Sequence, residues 1–124
     1  MKGEAIKQYY IVNGELKSVS NSDTFQRIRE PFIYEVIRVV SGVPLFLEDH
    51  IDRMRKSAEL MGLNINREDG EIQKDIRSLI EENNESNLNV KLLYANTEEA
   101  GSMMLVYFIK SFYPPEEYYK KGIH

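Results

Sequence analysis

Residues 32–62 read FIYEVIRVVSGVPLFLEDHIDRMRKSAELMG, and within this stretch the hydrophobic period changes from that of a strand to that of a helix. Phe32 to Val40 is rich in β-branched and aromatic residues, which is typical of a β-strand. Ser41-Gly42 predicts a turn into a short return strand over residues 43–46. Apolar residues then recur from Leu47 to Met61 at the spacing of one helix face, and a glycine supplies the helix stop. The stretch therefore predicts a strand, a hairpin and a helix in succession.

Further segments on both sides complete the predicted fold. The order of two strand pairs, two helices and a third strand pair predicts an α+β domain, with an antiparallel-dominated sheet and two helices packed on one face. An Asn-Gly pair favours the first hairpin because it accepts the positive φ angles of a type I′ turn. The predicted segments are strands over Tyr9–Val12 and Glu15–Val19 around Asn13-Gly14, a helix after an N-cap at Asn66, strands over Val90–Asn96 and Met103–Phe112, and a helical turn over Glu116–Gly122.

Composition excludes several classes of function. The 124 residues include 16 Lys and Arg against 20 Asp and Glu, a formal net charge of −4, which leaves no basic face for nucleic acid. There are no cysteines, so disulfides, thiolate metal sites and cysteine nucleophiles are excluded. The longest apolar run, Met103–Ile109, is too short for a membrane span, and Met1–Ala5 lead into no signal peptide, so we expect a soluble cytoplasmic protein. His50 and His124 are the only histidines, and they do not have the sequence spacing of metal ligands.

One arginine in the predicted helix does not join its solvated face. At about 100° per residue from Leu47, Arg53 falls near 240°, with His50 and Ser57 beside it and apolar residues on both sides. A guanidinium at such a boundary is costly unless an acceptor or anion meets it. Two interpretations remain open: Arg53 pairs with a neighbouring carboxylate or extends to solvent, or it binds an anionic ligand. The solvated face itself consists of Glu48, Asp52, Arg55, Lys56 and Glu59.

The strand over residues 32–40 carries charge on both faces. Its period of two places Glu35 on one face, and Tyr34 and Arg38 on the other. A strand of this kind lies either at a sheet edge or beside a polar cleft.

The motifs YEVIRV at 34–39, PLFLEDHIDRM at 44–54 and SAE at 57–59, followed by Gly62, resemble a known family. They are similar to the class IV, or fold type IV, aminotransferases. These are pyridoxal 5′-phosphate enzymes that include branched-chain and D-amino-acid aminotransferases and aminodeoxychorismate lyase. The aromatic-Glu-x-x-Arg strand together with the His-x-x-Arg helix carries most of this resemblance.

The resemblance implies that residues 1–124 are the small amino-terminal domain, and that the larger carboxy-terminal domain is missing. In the family that second domain holds the lysine that forms the Schiff base with pyridoxal phosphate. The intact protein is then expected to be an aminotransferase or lyase, to form a homodimer and to act on a small amino acid or keto acid. We expect the chain alone to be inactive and to need the intact protein to retain the cofactor.

The resemblance also assigns roles to individual residues. Arg53 matches the arginine that binds the cofactor phosphate, and His50 matches a neighbouring position with a supporting hydrogen-bonding role. Tyr34 and Arg38 match strand positions that line the substrate side of the pocket. Asn96 occupies the position where many members carry an arginine, and the loop that follows it is acidic.

Two other functions are compatible with the same residues. The chain could serve as a stand-alone, non-catalytic interaction module. It could also bind a small anion through Arg53 without covalent chemistry. A continuous second domain in the downstream reading frame favours the enzyme, and an immediate stop favours the other two.

Overall fold

The structure, a computed structural model, describes residues 5–21, 23–85, 87–97 and 101–110. In these ranges every strand pairing is antiparallel, and the strands form one sheet in the order β2-β1-β6-β5-β3-β4. The α+β prediction, with an antiparallel sheet and two helices, is therefore confirmed. The elements are β1 (Ala5–Val12), β2 (Glu15–Ser18), β3 (Ile28–Val40), β4 (Val43–Pro44), α1 (Leu47–Met61), α2 (Asp69–Asn83), β5 (Asn89–Thr97) and β6 (Ser102–Ile109).

The sheet carries an apolar cluster on each face. Both helices pack on one face, where Ile51 and Met54 of α1 and Ile76 of α2 are buried against the sheet. The other face has its own cluster, in which the Phe25 ring contacts the Tyr107 ring edge-on at a centroid distance of 5.1 Å. Among the described residues, neither helix has the length and apolar character needed to cross a membrane. Both α-helices thus lie on the same face of the sheet. Phe25, which packs on the other face, belongs to a segment outside the two α-helices.

The two predicted hairpins form around turns with positive φ angles. Asn13 and Gly14 have φ of 51° and 85°, and Ser41 and Gly42 have φ of 50° and 78°. This is the conformation that a type I′ turn requires. The return strand predicted over residues 43–46 is wrong in length, because Phe46 adopts a left-handed φ of 55° and the chain turns there into α1.

Several other predicted boundaries differ from the structure. β1 begins at Ala5 and not at Tyr9, and β3 begins at Ile28 and not at Phe32. The N-cap of α2 is Glu68 and not Asn66, and the Glu71 side chain accepts a hydrogen bond from the Glu68 amide at 2.9 Å. An acidic residue at N3 satisfies the free amide of the cap. The last strand ends at Ile109, whereas the end predicted at Phe112 and the turn predicted over Glu116–Gly122 lie outside the described residues.

Most of β3 lies at an open edge of the sheet. In the described residues β4 pairs only with Val39 and Val40, so residues 28–38 have β5 as their single neighbouring strand. Of the two alternatives that the charge pattern left open, the pairing therefore agrees with a strand at a sheet edge. The open edge runs beside α1, which places the β3 side chains next to those of the helix.

The linker between α1 and α2 is fixed by two arginines. Arg55 donates to the Asp69 carboxylate at 2.7 Å and to the Arg67 carbonyl oxygen at 2.7 Å. Arg67 in turn donates to the buried Asp75 carboxylate of α2. Burial raises the pKa of the Asp75 carboxyl, and the Arg67 hydrogen bond only partly offsets this effect. These contacts hold the linker against the start of α2.

Asn83, at the end of α2, forms hydrogen bonds with backbone groups of β1 where the pairing of this strand is irregular. The β1–β6 register shifts between residues 6 and 11, which leaves backbone groups of β1 without ladder partners. The Asn83 Oδ1 accepts from the amides of Gln8 (3.2 Å) and Tyr9 (2.9 Å), and its Nδ2 donates to the Tyr9 carbonyl (3.1 Å). The side chain thereby connects α2 to the sheet.

We predict that Asn83→Ala lowers the free energy of unfolding by about 3 kcal/mol, because it leaves part-buried backbone groups of β1 unpaired. Urea denaturation followed by circular dichroism measures this change. Glu82→Ala, at the exposed neighbouring position, is the control and should change the free energy by less than about 0.5 kcal/mol. Equal effects of the two substitutions would show that Asn83 does not anchor β1.

Candidate functional site

A buried carboxylate marks the candidate site. Glu35 lies on the helix-facing side of β3, in line with Ile33 and Ile37, and only 8% of the residue is exposed. A carboxylate among apolar neighbours loses its hydration, so it needs donors from the protein to stay ionised.

Those donors come from α1. The Arg53 Nε lies 3.0 and 3.1 Å from the two carboxylate oxygens of Glu35, and the Arg53 Nη2 lies 2.8 Å from Oε1. The His50 Nδ1 lies 2.7 Å from the same Oε1. We refer to these three residues as the Glu35–His50–Arg53 cluster.

Local structure explains why these side chains meet. His50 and Arg53 are three residues apart in α1, so they project from the same side of the helix. The pleat of β3 turns Glu35 toward α1, whereas the next residue points away. Arg53 therefore pairs with a neighbouring carboxylate, which is one of the two interpretations that its helical position left open, while much of its side chain stays exposed.

The hydrogen bonds set the ionisation of the cluster. Burial raises the pKa of the Glu35 carboxyl, but hydrogen bonds from Arg53 and His50 outweigh it, so the pKa lies below its usual range. The same hydrogen bond to Glu35 raises the pKa of the Arg53 guanidinium. Because the Glu35 carboxylate only accepts, the His50 Nδ1 carries the proton between them. The cluster thus holds an ionised pair at neutral pH.

The Arg53 guanidinium keeps a free side for a ligand. The side chain is 66% exposed although Glu35 occupies its Nε and Nη2. Within the described residues, no acceptor lies within hydrogen-bonding distance of Nη1. A guanidinium held on one edge and open on the other presents fixed N–H donors, an arrangement suited to a phosphate or carboxylate.

Tyr34 and Arg38 do not join this cluster. They lie on the opposite face of β3, where Tyr34 is half exposed and Arg38 is half buried. The Lys91 Nζ lies 4.2 Å from the centroid of the Tyr34 ring, and Lys91 is itself buried. Tyr34 and Arg38 therefore share β3 with Glu35 but lie on the face of the strand that points away from His50 and Arg53 of α1.

Asn96 lies near the end of β5, on the helix-facing side with Glu35 but separated from it. It is opposite Ser102 in β6 and lines a different cleft at the carboxyl end of α1. The structure thus brings Arg53 and His50 together and places the other predicted residues elsewhere.

Sequence patterns alone did not identify Glu35 as the residue that organises the site. The available signal was its charge within an otherwise apolar set of inward positions on β3, since Ile33, Ile37 and Val39 are its period-two neighbours. A buried charge of this kind requires a partner of opposite charge, and Arg53 was already unexplained.

Comparison with known proteins gives consistent results. The family described as amino-transferase class IV matches residues 32–124. The D-alanine aminotransferase of Bacillus licheniformis is 33% identical over 51 residues, which are 41% of this chain and 18% of that protein.

Solved structures share the fold. A branched-chain amino acid aminotransferase from Escherichia coli superposes with a TM-score of 0.75 at 15% identity, over 86% of this chain and 42% of that one. The branched-chain enzyme from T.th., solved with pyridoxamine 5′-phosphate, gives 0.76 at 16% identity, over 92% and 43%. A putative 4-amino-4-deoxychorismate lyase from Legionella pneumophila gives 0.61 at 18% identity, over 72% and 35%. The chain spans less than half the length of these relatives.

The lowered pKa of Glu35 predicts a specific acid sensitivity. The stability that its ionised form contributes is fully present above the ordinary glutamate value of 4.5 and is lost as the pH falls through the lower pKa of the folded state. We predict that Glu35→Gln removes this part of the pH dependence. Unfolding measured at several pH values between neutral and about pH 3 provides the test.

Glu59→Gln, on the exposed face of α1, is the matched control and should retain the acid sensitivity of the unmodified chain. If the free energy of unfolding of Glu35→Gln falls toward low pH as steeply as that of the unmodified chain, the contacts with Arg53 and His50 do not lower the pKa of Glu35.

Proposed function

The chain belongs to the class IV aminotransferase family, and from this premise we propose that it is the small amino-terminal domain of a longer pyridoxal-phosphate enzyme. The intact protein would act as an aminotransferase or an aminodeoxychorismate-lyase-like enzyme on a small amino acid or keto acid. The chain supplies residues for the cofactor phosphate and the substrate pocket.

The observation that carries the proposal is the Arg53 guanidinium, clamped by Glu35 on one edge and open on the other. A dianionic phosphate fits this donor set, because fixed N–H groups and a positive charge are its best partners. Pyridoxal phosphate, when bound, supplies the electron sink for amino-acid chemistry. Arg53 would hold its phosphate.

The other predicted residues have supporting roles in this proposal. His50 would position Arg53 through their shared contacts with Glu35, since Nδ1 is committed to the carboxylate. Tyr34 and Arg38 would face the substrate from the other side of β3. Because β3 is an edge strand, a ligand or a second domain at this edge can contact both faces.

The surface of the chain supports packing against another protein body. Eight large apolar side chains are exposed in the described residues, and seven of them lie between residues 34 and 61. The most exposed are Leu60 (88%) and Phe46 (73%) of the α1 region. Apolar surface concentrated in this way marks interfaces. We propose that the carboxy-terminal domain, which would bring the Schiff-base lysine, covers the open edge of β3 and the exposed apolar residues of α1, and that the intact protein is a cytoplasmic homodimer.

The sequence predicts an exposed apolar surface near Tyr34, Val36 and residues 113–123, and the last of these segments lies outside the described residues. The chain alone should show no transaminase or lyase turnover with pyridoxal phosphate. A downstream reading frame without a second domain would favour a stand-alone module in place of the enzyme.

We predict that inorganic phosphate binds the chain with a dissociation constant on the order of millimolar and shifts the Arg53 Nε resonance in a ¹H–¹⁵N spectrum. Arg53→Gln should weaken binding at least about tenfold, because the charged donors are lost. Lys56→Gln, an exposed cation on the same helix, is the control and should leave the affinity unchanged.

Two results would overturn the phosphate assignment. One is phosphate binding that Lys56→Gln weakens as much as Arg53→Gln does. The other is the absence of any Arg53 shift at phosphate concentrations well above millimolar. A pure anion-binding module is distinguished by phosphate binding in a protein whose reading frame contains no second domain.

A further inference from the structure

The second ring nitrogen of His50, Nε2, is available for chemistry in the Glu35–His50–Arg53 cluster. Both contacts of the ring within the cluster are made by Nδ1, which lies 2.7 Å from the Glu35 Oε1 and 3.3 Å from the Arg53 Nη2. In the part of the chain that the structure describes, Nε2 has no hydrogen-bond partner, and it is not one of the enclosed polar atoms. Because Nδ1 carries the proton of the neutral ring, Nε2 presents a lone pair to solvent.

The His50 ring and the Arg53 guanidinium lie side by side. Both contact the same carboxylate oxygen, Oε1 of Glu35, and the Arg53 Nη2 also borders the ring. An anion on the open side of the guanidinium therefore lies near the ring as well. Charge–charge interaction falls only with the inverse of distance, so the anion affects the ring even without touching it.

The cluster has no net charge while His50 is neutral, because the Glu35 carboxylate offsets the Arg53 guanidinium. Among the described residues, the charged groups that contact the ring are Glu35 from β3 and Arg53 from α1, and the nearby Asp49 carboxylate also acts on Arg53. Glu35 and Arg53 stay charged near neutral pH, since each stabilises the charged form of the other. Histidine is the member of the cluster whose side chain type exchanges a proton in this range.

We propose that binding of a dianionic oxyanion at Arg53 is coupled to the uptake of one proton by His50 Nε2. The proton comes from solvent and bonds to the Nε2 lone pair, while the Nδ1 proton continues to donate to Glu35. The dianion favours the positively charged ring, and by linkage the charged ring favours the dianion to the same extent. This inference rests on the proposed function, since it concerns the same phosphate site.

Sulfate is the probe, because it remains a dianion near neutral pH, whereas phosphate itself takes up a proton there. It is titrated into the 124-residue chain at about pH 8 and at about pH 6. The sulfate affinity should be at least about threefold higher at the lower pH, since the charged ring then adds its attraction to that of Arg53. At about pH 7, sulfate should also move the ¹⁵N resonance of His50 Nε2 toward that of a protonated ring nitrogen.

His50→Asn separates the proton from the position of the side chain. The asparagine amide has a donor near the place of Nδ1, so it can still bond Glu35, but it takes up no proton. At about pH 8 this variant should bind sulfate within about threefold of the unmodified chain, and it should gain no affinity at about pH 6. His124→Gln, which changes the other histidine of the sequence, is the matched control and should retain the full gain.

The proposal is overturned if the sulfate affinity does not change with pH, if His50→Asn shows the same gain as the unmodified chain, or if sulfate fails to bind where phosphate binds. Should His50→Asn bind sulfate at neither pH, the Nε2 resonance of the unmodified chain decides, and a resonance that sulfate does not move contradicts the proposal. Phosphate binding at Arg53, followed at about pH 8, is read separately. Its loss would overturn the proposed function, whereas phosphate binding without proton uptake would overturn only this inference.

Discussion

The site depends on one constraint: the Glu35 carboxylate is buried and must be neutralised. Two side chains of α1 meet it, with Arg53 contributing hydrogen bonds of 2.8 to 3.1 Å and His50 one of 2.7 Å. Removing one partner of such a pair leaves an uncompensated charge, which is far more costly than the net gain from the intact pair. Glu35 thereby fixes the orientation of Arg53 and also links α1 to β3.

The fold places this cluster where a ligand can reach it. Because β4 pairs with only two residues of β3, the edge beside α1 stays open along most of the strand. Exposed apolar side chains lie nearby in the same helix, with Leu60 seven residues after Arg53 and so on the same side of α1. An ionic group held within an apolar border is an arrangement that a second protein body and an anionic ligand can complete together.

Sequence patterns predicted the elements more completely than the contacts. Leu47–Met61 was predicted at both ends, because a clear helical period and a glycine stop are local properties. The Asn13-Gly14 turn is equally local. The predicted N-cap of α2 was wrong, since Asn66 is the residue type that N-caps prefer, whereas in the fold Glu68 occupies the cap and exchanges hydrogen bonds with Glu71.

The site was only partly predictable for the same reason. Helical spacing indicated that Arg53 needed an acceptor, but the residue that meets it lies 18 positions away on another element. Spacing alone does not give the distance between a strand and a helix, so Glu35 became visible as the partner only in the fold. Similarly, the separation of Tyr34 and Arg38 from Arg53 follows from the pleat of β3 together with the side on which α1 packs.

The most direct measurement compares the phosphate affinity of the unmodified chain with that of Glu35→Gln at neutral pH. If Arg53 were only a positive charge, removing the neighbouring carboxylate would strengthen phosphate binding by relieving repulsion. If Glu35 instead holds the guanidinium in the binding orientation, Glu35→Gln weakens binding although it removes a negative charge. We expect weaker binding, and an increase in affinity would contradict the role assigned to Glu35.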